Sequence, residues 1–426
     1  MKHSDWSYDA VIYEMNIRQT STEGTLDAAR RRLPALRQMG IDIVWLMPVY
    51  PIGEVNRKGS LGSYYSVRDY CQINEEFGTM EDFDAFVSEA HKLGIKVLLD
   101  WVANHTSRDA RWLAESPADW YEREADGTPL IPHGWSDTAK LNYANQDVWR
   151  AQIEAMRFWL TEHAVDGFRC DMAMLVPIEF WQVVRYELQR VKPDVFLLAE
   201  AEEDNIFENA FDCCYGWRLH HAMCDVAQQR SRVWALRDCI YADQRRYPTW
   251  AMHMTFTSNH DENSWSGSEF TRFGEAYEAM AALTFLLPNN LPLIYSGQEF
   301  GYDHSFAFFD KDSMPDFEPN RYTELYTILA AMRHKHRALH SADRGGSFVE
   351  ISTNAPDCLL AFVRERDDDR IVAIFNLSPY RVFSDFHTGI YAGNYFNAIS
   401  GKSETLYEHT WGDIEPWNYR ILTLKK

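Results

Sequence analysis

The chain has 426 residues, enough for one large α/β domain and a smaller module. Its 42 Lys and Arg against 63 Asp and Glu leave a net charge of −21, which argues against nucleic acid or an anionic membrane surface as a partner. Aromatic residues make up 14%, a content that suits sugar rings but also suits an ordinary core.

In chain order, short β-branched runs alternate with helical stretches as far as about residue 340. Strands are expected at 11–13, 41–47, 95–100, 165–171, 195–200, 253–258 and 291–296, several of them almost wholly apolar. A further strand is obscure and falls near 210–215. Helical patterns cover 25–39, 80–93, 147–163, 177–191, 270–287 and 322–340. Such alternation implies parallel βαβ units, and seven or eight of them imply a (β/α)8 TIM barrel. Residues 106–145 are rich in Trp, Asp, Gly and Pro and carry no sustained period. That is too long for a simple βα connection, so an insertion lobe beside the barrel top is expected. From 341 the pattern turns to short alternating runs at 348–351, 359–364, 371–376 and 419–424, which read as a C-terminal antiparallel β-domain. The expected division is a barrel of 1–105 and 146–340, a lobe of 106–145 and a β-domain of 341–426.

Catalytic groups of such barrels gather at the C-terminal ends of the strands. The third strand leads into Asp100-Trp101-Val102-Ala103-Asn104-His105, and the fourth ends Gly167-Phe168-Arg169-Cys170-Asp171. The fifth closes on Glu200, and the seventh runs into Asn259-His260-Asp261. Arg169 and Asp171 are two residues apart, so in a strand they share a face, where the guanidinium is expected to keep the carboxylate ionised. A single strand-end Asp is usually a helix cap, and a single rim His is usually structural. Four polar clusters in one register point to a site.

These four segments, in this order and spacing, resemble the α-amylase family of glycoside hydrolases (family 13). Val11-Ile12-Tyr13-Glu14, Tyr65 followed by Asp69-Tyr70, Phe77-Gly78-Thr79 and Gly297-Gln298-Glu299 add to the likeness. The resemblance implies Asp171 as nucleophile, Glu200 as general acid/base and Asp261 as the carboxylate that grips the sugar hydroxyls. It implies Arg169 and Asp100 as supports of Asp171, His105 and His260 as hydrogen-bonding groups, and Tyr65 as a stacking ring. A retaining mechanism then requires Asp171 and Glu200 to lie about 5–5.5 Å apart. The expected partner is an α-1,4-glucan such as maltodextrin, starch or glycogen. Glycosyl transfer to a sugar or phosphate, and cleavage of trehalose, sucrose or isomaltose, are the near alternatives. A non-catalytic binding subunit and a metal-dependent barrel hydrolase are more distant ones.

Departures from the family pattern matter too. Many members hold calcium through the Asn of the first motif, an Asp of the lobe and a His four residues after the nucleophile. Asn104 is present, but Leu175 stands at the His position and Lys140 where the Asp is expected, so no metal or other cofactor is expected there. Met172-Ala173-Met174-Leu175 is apolar where α-amylases commonly carry a polar pair, which leaves specificity open. The seven cysteines form no CxxC pair, and Met1-Lys2-His3-Ser4-Asp5-Trp6 has no apolar core of a leader. A cytoplasmic location is therefore expected.

Overall fold

The computed structural model describes residues 3–316 and 318–425. Met1 and Lys2 of the stretch read for a leader, and Lys426 at the end of the expected β-domain, lie outside the described residues. Strands that are apolar at nearly every position must be covered on both faces, which parallel pairing with helical crossovers provides. β1 (Ile12–Met15), β2 (Ile43–Leu46), β3 (Lys96–Val102), β4 (Gly167–Asp171), β5 (Phe196–Ala199), β6 (Cys213–Tyr215), β7 (Met252–Phe256) and β8 (Asn290–Tyr295) pair in sequence order, and β8 closes on β1. Alternate side chains turn inward, where Ile12, Ile43, Trp45, Leu98, Leu198, Met254 and Leu291 fill the barrel. Their neighbours Tyr13, Val44, Val97, Leu99, Leu197 and Ile294 turn outward into the larger core beneath the helices. The fold is a (β/α)8 barrel with a C-terminal β-domain.

The outer layer includes α1 (Leu26–Met39), α2 (Met80–Lys92), α3 (Gln146–Thr161), α4 (Ile178–Val191), α5 (Trp217–Ala227), α6 (Val233–Arg246), α7 (Tyr277–Leu286) and α8 (Arg321–Lys335). Local chemistry sets their ends. Thr79 and Asp82 form a reciprocal capping box at the start of α2, and Gly40 takes φ 99° to end α1. The single helix expected over 270–287 is broken, because Gly274 adopts φ 52° between Glu269–Phe273 and α7. α8 stops at Lys335 rather than reaching 340. α5 and α6 had no counterpart in the sequence reading.

Between β3 and α3, His105–Ser107 pairs antiparallel with Thr138–Lys140 over a small cluster of Tyr121, Ala139, Leu141 and Val148. The C-terminal domain has eight strands where the sequence suggested four: β9 (Ser347–Glu350), β10 (Leu359–Arg366), β11 (Asp369–Asn376), β12 (Val382–His387), β13 (Gly393–Asn397), β14 (Ser403–Leu406), β15 (His409–Ile414) and β16 (Tyr419–Leu424). Six make a sheet in the order β9-β10-β11-β16-β13-β14, and β12 pairs with β15 alone. Buried Arg364 of β10 donates to the Leu286 carbonyl at the end of α7 (2.7 Å), tying this domain to the barrel. Among the described residues no helix is long and apolar enough to cross a membrane.

Candidate active site

Strand register brings the polar ends together. Asp100 of β3 pairs with Arg169 of β4, and Val102 with Asp171, so both carboxylates emerge beside the same guanidinium. Arg169 Nη1 donates to Asp100 Oδ1 (2.8 Å) and to Asp171 Oδ1 (3.0 Å). Its Nη2 lies 2.8 Å from Glu200 Oε2, within ion-pair distance but out of line for a hydrogen bond. Its Nε donates to the Tyr215 hydroxyl (3.0 Å), and the guanidinium sits 5.0 Å over the Trp45 ring. Asp100, Asp171, Glu200 and Arg169 are all buried. Carboxylates this far from water need a cation, and Arg169 serves all three.

The second polar group centres on His260. Asn259 caps the short helix His260–Ser266 by accepting from the Glu262 N–H, which fixes His260 and Asp261 in its first turn. His260 Nδ1 is 2.5 Å from Glu14 Oε1, and Nε2 is 2.8 Å from the Tyr65 hydroxyl and 3.3 Å from Asp261 Oδ2. Tyr65 also donates to Asp100 Oδ2 (3.0 Å) and stacks on the His260 ring, so the two groups form one network. His105 is buried beside the lobe, with Trp135 5.2 Å away. The Asn104 amide donates to its Nδ1 (3.2 Å), a tautomer that leaves the proton on Nε2.

Electrostatics follow from burial and from these partners. Burial opposes a charge on His260, yet Asp261 and Glu14 together hold the imidazole well above its ordinary value. Burial pushes Glu14 up while His260 pulls it down; imidazole is the stronger base of that pair, so the proton sits on His260. Burial also works against Asp261, but His260 holds that carboxyl below its usual range. His105 has no such partner, and burial drives it down to about 4, so it stays neutral. Arg169 pulls the Asp171 carboxyl toward its ionised form, as expected, but other influences outweigh it. Burial, then the charges of Glu200, Asp100 and Asp261, raise the Asp171 carboxyl well above its usual range in spite of the guanidinium. One cation here stands against three carboxylates, so the guanidinium does not prevail over burial and the neighbouring charges.

Of these groups Tyr65, His105, Asp171, Glu200, His260 and Asp261 line a cleft of about 480 Å³ at the C-terminal end of the barrel, and Asp100, Arg169 and Glu14 stand behind them. Sequence reasoning missed much of its wall: Trp135 and Thr138 from the lobe, Lys58 and Ser63 from the loop after β2, Trp265 after His260, and Phe308 and Phe309 after β8. Lys58 pairs with Asp137 (2.9 Å), so the loop and the lobe meet over the opening. Glu14 was legible only as a charged residue in an apolar strand, which needs a buried partner. Met172, next to Asp171, takes φ 43°, a left-handed backbone uncommon outside glycine, and donates its N–H to Glu200 Oε2 (2.7 Å). With Oε2 held by Met172 and Arg169, Oε1 is the oxygen left for a proton. Met174 is exposed and Leu175 half-buried, so neither is a core residue.

A family model of the α-amylase catalytic domain matches residues 12–138 and 120–336, and a model of the α-amylase C-terminal all-β domain matches 351–416. The chain belongs to the α-amylase family. It is 30% identical to the α-amylase MalA of Haloarcula japonica over 87% of its own length and 56% of that protein. It is also 33% identical to an α-1,4-glucan:maltose-1-phosphate maltosyltransferase of Streptomyces coelicolor, over 84% of its own length and 56% of that enzyme. The chain thus spans little more than half the length of these two curated relatives. Among solved structures it resembles an α-amylase from Lactobacillus plantarum (TM-score 0.89, 29% identity, 99% and 100% of the two chains). The maltogenic α-amylase AmyB of Thermotoga neapolitana is similar at TM-score 0.88 and 27% identity, covering 98% of each chain.

In this α-amylase family chain the calcium position known from relatives has an unsuitable donor set. Leu175 offers no ligand atom, and Lys140 brings a positive charge that pairs with Glu122 (2.9 Å). Calcium requires several oxygen ligands, and these residues do not supply them.

Proposed function

We propose that the chain is a retaining α-glycoside hydrolase cleaving α-1,4-glucosidic bonds of maltodextrin, starch or glycogen-like glucans. The observation that carries this reading is Arg169, whose two terminal nitrogens reach Asp171 and Glu200 on the floor of an aromatic-walled cleft. Asp171, in its ionised form, is the nucleophile that attacks the anomeric carbon, while Glu200 carries a proton on Oε1. Glu200 gives that proton to the leaving glycosidic oxygen as the bond breaks. Water then attacks the glycosyl ester, Glu200 takes its proton, and Asp171 leaves with the electron pair of the ester bond. Charged His260 and ionised Asp261 suit the hydroxyls of a ring whose anomeric carbon turns cationic in the transition state. Neutral His105 donates through Nε2, and Tyr65 offers a stacking face.

A second reading, transfer of the glycosyl group to another acceptor, draws on the maltosyltransferase relatives. Asp137 and Asp261 beside a single lining lysine, Lys58, disfavour a phosphate acceptor, so a sugar acceptor is the form that fits. Incubation with maltoheptaose distinguishes the two: shorter oligosaccharides mark hydrolysis, longer ones transfer, and glucose 1-phosphate with added phosphate a phosphorylase. Asp171→Asn is the blank, expected to lower the rate by several orders of magnitude. Wild-type activity in that variant overturns the mechanism. We also infer that no calcium is held at the Asn104 position. Seven free thiols and the acidic charge support a cytoplasmic enzyme with neither nucleic acid nor membrane as partner.

A further inference from the structure

In the C-terminal domain β12 and β15 form a two-stranded ribbon in which His387 pairs with His409 and Asp385 with Trp411. Directly paired residues share a face, as do residues two apart along a strand. Asp385, His387 and His409 therefore stand together on one side, while Ser384 and Phe386 are buried on the other. The two imidazole rings are 4.5 Å apart between centroids, and Asp385 Oδ1 is 3.6 Å from His409 Nδ1. One ligand atom from each of the three residues lies within 4.8 Å of the others. Asp385 Oδ1 is screened from water yet has no hydrogen-bond partner. A screened carboxylate oxygen grouped with two imidazoles, paired with His409 Nδ1 at 3.6 Å but hydrogen-bonded to nothing, has the surroundings of a metal ligand.

We propose that Asp385, His387 and His409 bind one divalent transition ion of the zinc type, bridging β12 and β15. Two imidazole nitrogens and one carboxylate oxygen suit zinc and its neighbours and are a poor set for calcium. Ligand atoms of a tetrahedral zinc sit about 3.3–3.6 Å apart, so side-chain rotations that draw these three atoms in by about 1 Å close the cluster. The backbone behind them is already fixed. The Asp385 N–H donates to Asn354 Oδ1 (2.9 Å), and the His387 N–H to the Ser352 carbonyl (3.1 Å). A two-stranded ribbon is marginal by itself, and an ion that binds only its folded form staples it.

The test uses the full chain without a histidine tag, stripped of metal and titrated calorimetrically with Zn2+ alone, with Ca2+ as control. One ion per chain with a Kd below about 10 µM is expected, together with a higher Tm. His387→Gln and His409→Gln should each weaken binding by at least about tenfold. An unchanged metal-free Tm in both variants establishes that they are folded. A weaker wild-type Kd, or undiminished affinity in both folded variants, overturns the site.

Discussion

Glu14→Gln isolates the charge that His260 leans on. Glutamine keeps the shape of the side chain and an oxygen to accept from Nδ1–H, so the change is electrostatic rather than steric. The pair is buried and 2.5 Å apart. A charged partner at contact distance moves a pKa by about 1–3 units, worth about 1.4–4 kcal/mol. Glu14 and Asp261 jointly hold the imidazole up, so with Asp261 alone it should lose its proton that much earlier. The assay is kcat/KM on maltoheptaose across pH. Its alkaline limb should move down by about 1–3 units while the acid limb moves less. Stability carries the same sign. A folded-state value raised above the unfolded one contributes stability that is fully present below about pH 6.5 and is lost as pH rises through the folded value. The variant's deficit should therefore be largest below about pH 6.5 and shrink in alkali. An alkaline limb that stays in place, or a deficit that grows with pH, refutes the account of His260.

Trp265→Ala should raise KM for long maltodextrins by about two- to tenfold and change kcat less, because the residue is 60% exposed and its ring packs against Phe308 on the cleft wall. An unchanged KM removes Trp265 from substrate binding. A calcium-selective chelator should leave both activity and Tm unaltered, since Leu175 and Lys140 stand at the ligand positions; a fall in either, reversed by added calcium, contradicts the reading of that position.

The barrel was legible where strands are apolar and end in punctuated polar clusters, as at 41–47 and 165–171. β6 lies within the obscure stretch expected near 210–215; its three residues, Cys213, Cys214 and Tyr215, carry no period and are held only by β5 and β7 on either side. In the β-domain the runs at 359–364 and 371–376 are buried strands with a plain apolar signal. β12 and β15 mix charge with exposed aromatics, Phe383 and Trp411, and their pairing depends on partners distant in sequence. The same distance separates what was read from what was missed in the cleft. Asp100, Arg169, Asp171 and Glu200 announce themselves at strand ends. Glu14 acquires meaning only from His260, 246 residues away, and Trp135 and Phe308 only from loops that fold over the opening.

Sharing Arg169 among Asp100, Asp171 and Glu200 binds the histories of these positions together. Loss of the arginine strands three acids at once, whereas loss of one acid leaves two to share the same cation. Single replacements in this quartet should therefore be strongly non-additive, each tolerable only in company with another. Variation is instead free to accumulate on the rim, in Trp135, Lys58, Trp265 and the loop of Phe308 and Phe309, where a change reshapes the cleft without disturbing the charges on its floor.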